Sequence, residues 1–286
     1  MTNIKITAII IAKNEEKVLL NCIKTLSWVD QILVLDSGSS DKTVKIAENA
    51  GAKVIHFDHS SFSRLRNEAL KHVETDWLFY IDADERVTPT LAKEILVHLE
   101  TSSAKALSMK RRNICYGKEL LHGGWGTDQV TRVFEKRSIK QWEGKVHETP
   151  IFEGENVLLH TPLIHLTHRN TQLNLIKSAN WTKIEAELLH KSGIKPVTFF
   201  TIMRKGVMEF FRRAILKQGY KDGLTGLVEA LIQGINKILI YVQIWEMQQV
   251  PSLEDNYHRQ EIDIMKLWET DRVAKLSTSQ NKSDTD

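Results

Sequence analysis

The sequence predicts an α/β protein in which helices flank a mainly parallel sheet and a helical region follows. Three observations lead to this prediction. Short apolar runs alternate with segments of helical spacing over about the first hundred residues. Acidic side chains stand directly after several of these runs. From about residue 170 onward, the apolar residues recur only at helical spacing.

Residues 1–104 carry four short apolar runs that predict buried strands. The runs are Ile6–Ile11, Ile32–Leu35, Lys53–Phe57 and Trp77–Ile81. Helical segments are predicted after them at Glu15–Leu26, Asp41–Ala50, Phe62–His72 and Thr90–Glu100. Ser40 is expected to cap the second of these helices. Because strands that alternate with helices form right-handed βαβ units, the four strands should be parallel and should end at one edge.

Residues 105–170 are predicted to complete the same domain with a different pattern. Ala106–Arg111 and Val130–Phe134 are expected to be strands. The glycine-rich segment between them carries Trp125. This part of the chain is therefore interpreted as the second half of the domain.

Residues 171–276 are predicted to form a helical C-terminal region. Its helices are Asn174–Lys191, Val197–Lys217 and a third one that reaches about Gln249. Residues 277–286 lack apolar side chains and are therefore predicted to be disordered.

The composition fits a soluble globular protein of 286 residues, with 42% hydrophobic and 26% charged residues. A net charge of only +3 argues against nucleic acid as a partner. Two cysteines exclude a disulfide framework, which is typical of a reducing compartment. The apolar run Ile6–Ala12 is too short for a signal sequence, and no stretch of about 18 apolar residues is free of charge. The sequence therefore predicts a cytoplasmic protein.

Carboxylates follow three of the predicted strands, at Glu15, at Asp36 and at the pair Asp82 and Asp84. Side chains at positions i and i+2 of an extended segment point to the same side, so the pair should lie close together. Two such carboxylates repel each other unless a proton or a cation lies between them. Oxygen ligands select a hard ion such as Mg²⁺ or Mn²⁺, which commonly also binds substrate phosphates. The alternative is a solvated acidic loop.

The segment Asp36-Ser37-Gly38 allows two interpretations. The carboxylate of Asp36 can accept a hydrogen bond from a base, and the turn after it offers backbone N–H groups to a ribose or a phosphate. Alternatively, Asp36 only braces the turn. Arg64 and Arg66 precede the fourth strand, where one of them could neutralise a diphosphate, or both could lie on an exposed helix face.

Four motifs in order resemble the inverting family-2 glycosyltransferases of the GT-A fold, over roughly residues 4–100. The motifs are IIIAKNEE, LDSGSSDKT, RLRNEAL and FYIDADE. The resemblance implies a Rossmann-like domain, a nucleotide-sugar donor such as UDP-glucose, and a divalent metal, Mg²⁺ or Mn²⁺. It also implies a set of donor-binding residues, with Asp36 at the base, Arg66 at the donor and Asp84, with Asp82, at the metal. The remaining residues of that set are Ala12, Asn14, Glu15, Ser37, Gly38 and Ala83.

The second half resembles the branch of that family that glycosylates the lipopolysaccharide inner core. The resemblance rests on GGWGTDQVTRVFEKRS, on WEGKVHE and on a GxxDGxxG element at residues 219–226. It implies a saccharide or glycolipid acceptor. Two positions depart from the pattern. Gly126-Thr127 stands where the branch has an aromatic residue and proline, and Arg204-Lys205 stands where it often has Arg-Pro.

An inverting transfer needs a carboxylate that takes the proton of the acceptor hydroxyl. Glu148 is the first choice for this base and Asp128 the second, although each could be an ordinary strand-end acid. His147 is a candidate third metal ligand or diphosphate partner, with a purely structural role as the alternative. Trp125 could stack on an acceptor sugar or fill the core.

Basic residues between positions 204 and 221, in the second predicted helix of the C-terminal region and just after it, suggest contact with the cytoplasmic face of an inner membrane. They are Arg204, Lys205, Arg212, Arg213, Lys217 and Lys221. The alternative is a packed helix with solvated charges. The apolar stripe from Leu227 to Trp245 is expected to lie in the core or in a homodimer contact.

Two other functions fit a sheet of this kind. A sugar nucleotidyltransferase would need a glycine-rich phosphate loop after the first strand, and the residues there, AKNEE, contain no glycine. A nucleotide-sugar-binding protein without catalytic activity would keep the donor pocket and lack the base.

Overall fold

The computed structural model describes residues 4–59, 61–144 and 148–283, with side chains described up to residue 272. This part of the chain contains twelve strands and eight α-helices. The strands are β1 (Ile6–Ala12), β2 (Gln31–Asp36), β3 (Lys53–His56), β4 (Trp77–Asp82), β5 (Glu85–Arg86), β6 (Ala106–Cys115), β7 (Lys118–Glu119), β8 (Gln129–Glu135), β9 (Ile139–Glu143), β10 (Thr149–Phe152), β11 (Asn156–Leu158) and β12 (Leu163–Thr167). The α-helices are α1 (Leu19–Lys24), α2 (Thr43–Asn49), α3 (Phe62–Lys71), α4 (Pro89–Thr101), α5 (Thr171–Lys191), α6 (Phe199–Phe211), α7 (Gly223–Met247) and α8 (Leu253–Ser283).

One large sheet forms the centre of the first part of the chain, in the strand order β3-β2-β1-β4-β8-β6-β12-β5. The first four strands of the chain are parallel to one another, as predicted. β8 is inserted antiparallel between β4 and β6, and β12 returns parallel to β6. The observed sheet and its flanking helices confirm the predicted fold class, with a helical C-terminal region after them.

β1 is buried on both faces because helices cover both sides of the sheet. Ile6, Ala8 and Ile10 pack in the cluster that contains residues of α1 and α4. Ile9 faces the other way, into the cluster that contains Leu65 of α3. Burial on both faces explains why the strand is a continuous β-branched run with no alternating polar residues.

The start of α2 differs from the prediction. The helix begins at Thr43, and Ser40 does not cap it. The N–H and the hydroxyl of Ser40 instead donate to Asn14 Oδ1, at 2.8 and 3.3 Å. Asp41 accepts from the N–H and hydroxyl of Thr43 at the start of the helix. Ser40 is thus used to join the ends of β1 and β2, because a contact from outside the segment competes with the local cap.

Several strands of the second half were not apparent from the sequence. β6 extends to Cys115, beyond the predicted Arg111, because β7 and β12 pair with its second half. β9 and β10 form a separate two-stranded sheet, although β10 contains Pro150. Short edge strands of this kind carry a weak periodic signal, since only part of each strand is buried.

α6 and α7 run antiparallel and approach closely at Gly206 and Gly234. A Cβ atom on Gly206 would lie 2.3 Å from Cγ1 of Ile238 and 3.1 Å from the carbonyl oxygen of Gly234. A larger residue could not occupy the position without separating the helices. A second cluster of Ile240, Tyr241 and Ile244 joins α7 to the rest of the C-terminal region.

At the end of the described chain, α8 extends to Ser283, and the disorder expected for residues 277–286 stays a prediction. Its sequence contains no glycine or proline that would end the helix. The helical stretch Gly219–Met247, which consists of α7 and the short 3₁₀ turn before it, is long and apolar enough to cross a membrane by length and composition, although the sequence was expected to offer no such helix. The stretch was not expected because charged residues such as Glu229 and Lys237 interrupt its apolar sequence. About half of its apolar window is buried in the protein, so the finding is weak evidence for a span.

Candidate active site

The candidate site lies where β1, β2 and β4 end at the same edge of the sheet. Ala12 pairs with Asp36, and Ile11 pairs with Asp82, so the register places the three strand ends level. Asn14 follows β1 with a positive φ of 56°, and its side chain reaches the segment after β2. The predicted donor-binding residues therefore come from neighbouring strand ends.

Asp36 braces the turn after β2. Its carboxylate accepts from the N–H groups of Gly38 and Ser39 and lies 3.3 Å from Nδ1 of His56. Burial raises the pKa of Asp36, but the hydrogen bonds from Ser39, His56 and Gly38 lower it by more than burial raises it. The pKa of Asp36 is therefore below its ordinary value. Ser37 is buried and donates its N–H to the carbonyl of Ala12. The bracing role is thus observed, and contact with a nucleotide base stays a prediction.

Gly38 has a φ of 89°, a conformation that favours glycine. A Cβ atom there would lie 3.1 Å from the carboxyl carbon of Asp58, so the turn is also crowded. Glu15 lies next to this turn, and its N–H donates to Thr43. Burial raises the pKa of Glu15, and the charges of Lys177 and Asp84 also act on it.

The two acids of the pair contact different cations. Asp82 accepts from Arg66 at 3.5 Å and from Arg132. Asp84 accepts from Lys177 of α5 at 3.1 Å and lies 3.6 Å from Nε2 of His165, which belongs to β12. Ala83 between them is buried.

Positive charge keeps both acids ionised. Burial raises the pKa of Asp82, but the guanidinium groups of Arg132 and Arg66 lower it by more. Burial likewise raises the pKa of Asp84, and the neighbouring His165 and Lys177 bring it well below its usual range. The site therefore presents two carboxylates rather than a shared proton.

Arg66 connects the acidic pair to the first candidate for the base. Its guanidinium packs over the rings of Trp142, at 4.6 Å, and Tyr80, at 5.3 Å. Its Nε lies 3.3 Å from Oε1 of Glu148, and its Nη2 contacts Oδ1 of Asp82. Packing over aromatic rings fixes the plane of the guanidinium, so Glu148 is held on the same side of the site as the acidic pair.

The second candidate for the base, Asp128, is engaged on both oxygens. Arg111 donates to them at 2.7 and 3.1 Å, and Nδ2 of Asn113 donates at 3.1 Å. A base must release these contacts before it can accept a proton, which favours Glu148 over Asp128.

Trp125 lies in the loop before β8, edge-on to His168 with ring centroids 5.2 Å apart. Its Nε1 is buried and has no hydrogen-bond partner among the described residues. Stacking of Trp125 on an acceptor sugar therefore stays a prediction. His147, the candidate third metal ligand, lies outside the described residues.

The sequence reasoning missed a buried group of charges beneath the acidic pair. Glu85 is fully buried and accepts from Arg132 at 2.8 Å and from the N–H of Asp82 at 2.9 Å. Arg86, which follows it, donates to the carbonyl oxygens of Ala83 and Val18 and does not neutralise the Glu85 carboxylate. An arginine on the inward-facing side of β8 is the signal that could have pointed to Arg132.

A divalent ion fits two side chains of this site. Among the described residues, no group of three or more His, Cys, Asp and Glu side chains could hold a metal ion. Asp84 and His165 nevertheless offer a carboxylate oxygen and an imidazole nitrogen close together, and both are ligands of ions such as Mn²⁺. Two protein ligands leave coordination positions free for phosphate oxygens. His165 was not singled out in the sequence, where it stands in an apolar strand.

The chain is similar over most of its length to glycosyltransferases of bacteria. The chain is 26% identical over 266 residues to the lipopolysaccharide core biosynthesis glycosyltransferase LpsC of Rhizobium meliloti, and the alignment covers 87% of this chain and 96% of that protein. It is 25% identical over 260 residues to an uncharacterized glycosyltransferase of Rickettsia felis, with 85% of this chain and 90% of that protein covered.

Similar solved structures include S. aureus TarS, with a TM-score of 0.43 and 14% identity, over 84% of this chain and 55% of that one. They also include glucosyl-3-phosphoglycerate synthase from Mycobacterium tuberculosis in complex with Mn²⁺ and UDP-glucose, with a TM-score of 0.44 and 18% identity, over 68% of this chain and 80% of that one. The model of the family described as Glycosyl transferase family 2 matches residues 7–156, which is just over half of the chain. The chain therefore belongs to glycosyl transferase family 2.

Proposed function

We propose that this glycosyltransferase moves a hexose from a UDP-sugar, such as UDP-glucose, to a hydroxyl of a saccharide or glycolipid, with inversion at the anomeric carbon. The acceptor would be a lipopolysaccharide core or another cell-surface glycan, which the likeness to LpsC along nearly its whole length supports. The observation that carries the proposal is Arg66, which contacts both Glu148 and Asp82 and so joins a candidate base to the acidic pair.

Glu148 is the proposed base. It takes the proton of the acceptor hydroxyl while the oxygen attacks the anomeric carbon. The new C–O bond forms as the bond from that carbon to the diphosphate oxygen breaks, and the electron pair of the broken bond leaves with the diphosphate. Negative charge therefore grows on the diphosphate, and Arg66 and Lys177 supply fixed positive charge next to the acidic pair.

Asp84 and His165 would hold Mg²⁺ or Mn²⁺, with Asp82 beside them. When bound, the ion supplies further positive charge to the leaving diphosphate. The acceptor itself would lie between Glu148 and the loop that carries Trp125. The residues at the ends of β1 and β2, Asn14 and Asp36 among them, are proposed to hold the nucleoside.

Contact with a membrane is also proposed, but through apolar side chains more than through the predicted charges. Arg212 and Arg213 both bond to Glu209, and Lys205 lies over the ring of Tyr241. These three cationic side chains therefore already interact with other side chains of the protein. Arg204, Lys217 and Lys221 are exposed. The stripe from Leu227 to Trp245, expected in the core or in a dimer, exposes Leu227, Leu231, Ile235 and Trp245.

Transfer with a panel of donors tests the proposal. The panel contains UDP-glucose, UDP-galactose, UDP-N-acetylhexosamines and ADP-heptose, each with Mn²⁺ and with EDTA. We expect turnover with one UDP-hexose, loss of turnover in EDTA, and an inverted anomeric configuration in the product by NMR. Binding of UDP without turnover of any donor would indicate a binding protein. Turnover with ADP-heptose alone would replace the UDP-hexose part of the proposal.

A further inference from the structure

The side chain of Asn113 has only one orientation that satisfies its contacts. Asn113 is buried in β6. Its Nδ2 lies 3.1 Å from the carbonyl oxygen of Trp125 and 3.1 Å from Oδ2 of Asp128. Both of these atoms accept hydrogen bonds, so Nδ2 must face them. The reversed amide would set Oδ1 against two acceptors, one of them a carboxylate.

The orientation of Asn113 determines which nitrogen of His165 carries a proton. Oδ1 of Asn113 lies 2.6 Å from Nδ1 of His165, its neighbour across the parallel pair of β6 and β12. Because Oδ1 can only accept, Nδ1 must donate and must hold a proton. Nε2 is then the nitrogen that faces Asp84, 3.6 Å from its Oδ1. In the neutral ring, Nε2 directs a lone pair toward a carboxylate, which is the arrangement that a cation between them requires.

Asp128 holds Asn113 in this orientation and is itself held by Arg111, which donates to both of its oxygens. The contacts continue from Arg111 to Glu85 and from Glu85 through Arg132 to Asp82. The described side chains thus form a continuous path from one acid of the pair to the other. Each side chain within this path contacts the one before it and the one after it. The path therefore holds the ring of His165 on the side away from Asp84.

We propose that Asn113 is a positioning residue that fixes His165 as the Nδ1–H tautomer, so that Nε2 faces Asp84 and can bind a divalent cation. This inference rests on the metal part of the proposed function. It assigns Asp128 to the support of Asn113 rather than to proton transfer. Partners of this kind commonly change metal affinity about 10–100-fold when they are removed.

The first test observes the tautomer in the metal-free protein. Long-range ¹⁵N–¹H NMR spectra of histidine-labelled protein at about pH 8 report which ring nitrogen carries the proton, and the signals of His165 are identified by their absence in His165→Gln. We expect Nδ1–H for His165 in the wild type and loss of that preference in Asn113→Leu. A neutral His165 with its proton on Nε2 in the wild type would overturn the inference without any variant.

The second test measures Mn²⁺ binding by EPR in the presence of UDP. We expect the dissociation constant of Asn113→Leu to rise about 10–100-fold above that of the wild type. Asn236→Leu, a buried asparagine of α7, is the matched control and should bind as the wild type does. Wild-type affinity in Asn113→Leu, together with lost affinity in His165→Gln, would overturn the inference alone. No Mn²⁺ binding by the wild type would overturn the metal site and the inference together.

Discussion

Single residues at the candidate site have more than one partner, which separates their roles. Arg66 packs over two aromatic rings and bonds to two acids, so it cannot leave one of them without disturbing the other. Asp128 bonds to Arg111 and Asn113. Glu148, by contrast, is 17% exposed at its side chain and contacts Arg66 alone among the charged groups described near it. Glu148 has fewer charged partners than Asp128, and it therefore stays the first candidate for the base.

Replacement of Glu148 by glutamine should abolish most of the transfer. The amide keeps the size of the side chain but cannot take the hydroxyl proton. We expect kcat to fall about 10²–10⁴-fold, with the affinity for UDP changed little, since general base catalysis contributes about that much. Steady-state kinetics and calorimetric titration with UDP measure the two quantities.

Glu153→Gln is the control for this prediction. Glu153 is an exposed acid directly after β10, and it forms an ion pair with Lys140 of β9. It should keep the wild-type kcat. If Glu148→Gln also kept the wild-type kcat, the base would lie elsewhere, and a fall in kcat for Asp128→Asn with UDP and Mn²⁺ binding both intact would point to Asp128.

The ends of the strands were predictable from the sequence, and the contacts between distant segments were not. Asp82 and Asp84 were predicted at one edge because a buried apolar run stops there. Their partners Arg132 and Lys177 come from β8 and α5, so nothing in the local pattern connects them to the pair. Ser40 shows the same limit on a smaller scale, since its partner Asn14 is 26 residues away.

At the scale of elements, α2 depends on Asp41, which accepts from the N–H of Thr43 and of Glu16. Burial raises the pKa of Asp41, but these hydrogen bonds and the one from the Thr43 hydroxyl lower it by more. The pKa of Asp41 in the folded protein is therefore below its pKa in the unfolded chain. The stabilisation is therefore fully present above the unfolded pKa and is lost as the pH falls through the folded pKa.

Asp41→Ala should accordingly destabilise the protein by about 1 kcal/mol at neutral pH. The difference from the wild type should shrink as the pH falls below the ordinary range of an aspartate carboxyl, because the carboxyl of Asp41 then becomes protonated. Chemical unfolding at several pH values measures it. Asp263→Ala, at an exposed position of α8, should show no such pH-dependent difference. A constant difference at all pH values would mean that the charge of Asp41 does not stabilise the fold.

α5 brings a cation from the C-terminal region to the acidic pair. Nζ of Lys177 lies 3.1 Å from Oδ2 of Asp84, where a metal ion would compete with it. We expect Lys177→Met to bind Mn²⁺ more tightly than the wild type in the absence of UDP, because Asp84 loses its internal cation. The same variant should bind UDP more weakly in EDTA, because a positive charge next to the diphosphate is lost.

Mn²⁺ titration followed by EPR and calorimetry with UDP measure these two shifts, which have opposite directions. Lys183→Met, at an exposed position of the same helix, is the matched control and should change neither. Weaker Mn²⁺ binding by Lys177→Met would show that Lys177 supports the metal site instead of competing with it.

At the scale of the whole molecule, α6 and α7 present a shared apolar surface. The helices are antiparallel and meet at Gly206 and Gly234. A residue one position after the contact is turned by about 100°, and in antiparallel helices this turns both toward the same side. Val207 and Ile235 hold these positions and are exposed. The α6/α7 apolar surface consists of Phe200, Met203, Val207, Phe211, Leu224, Leu231 and Ile235, all of them exposed.

Large exposed apolar patches commonly mark interaction sites. Exposed Arg204, Lys217 and Lys221 add positive charge to the same helices and the turn between them. An anionic bilayer matches both properties, and a lipid-linked acceptor would be met there. We therefore expect the protein to co-sediment with vesicles that contain phosphatidylglycerol, and to bind less at high salt because screening weakens the charge attraction.

The double variant Phe200→Ser and Phe211→Ser should lower vesicle binding by at least about tenfold, since each buried phenylalanine contributes about 1.5–3 kcal/mol. Leu267→Ser and Trp268→Ser remove two exposed apolar residues from α8 and form the matched control, which should bind as the wild type does. Transfer to a soluble acceptor should be unchanged in both, because neither pair touches the acidic site. The wild type could instead fail to bind the vesicles and sediment as a dimer. If the Phe200 and Phe211 substitutions dissociated that dimer, a second copy of the chain, and not a bilayer, would cover this surface.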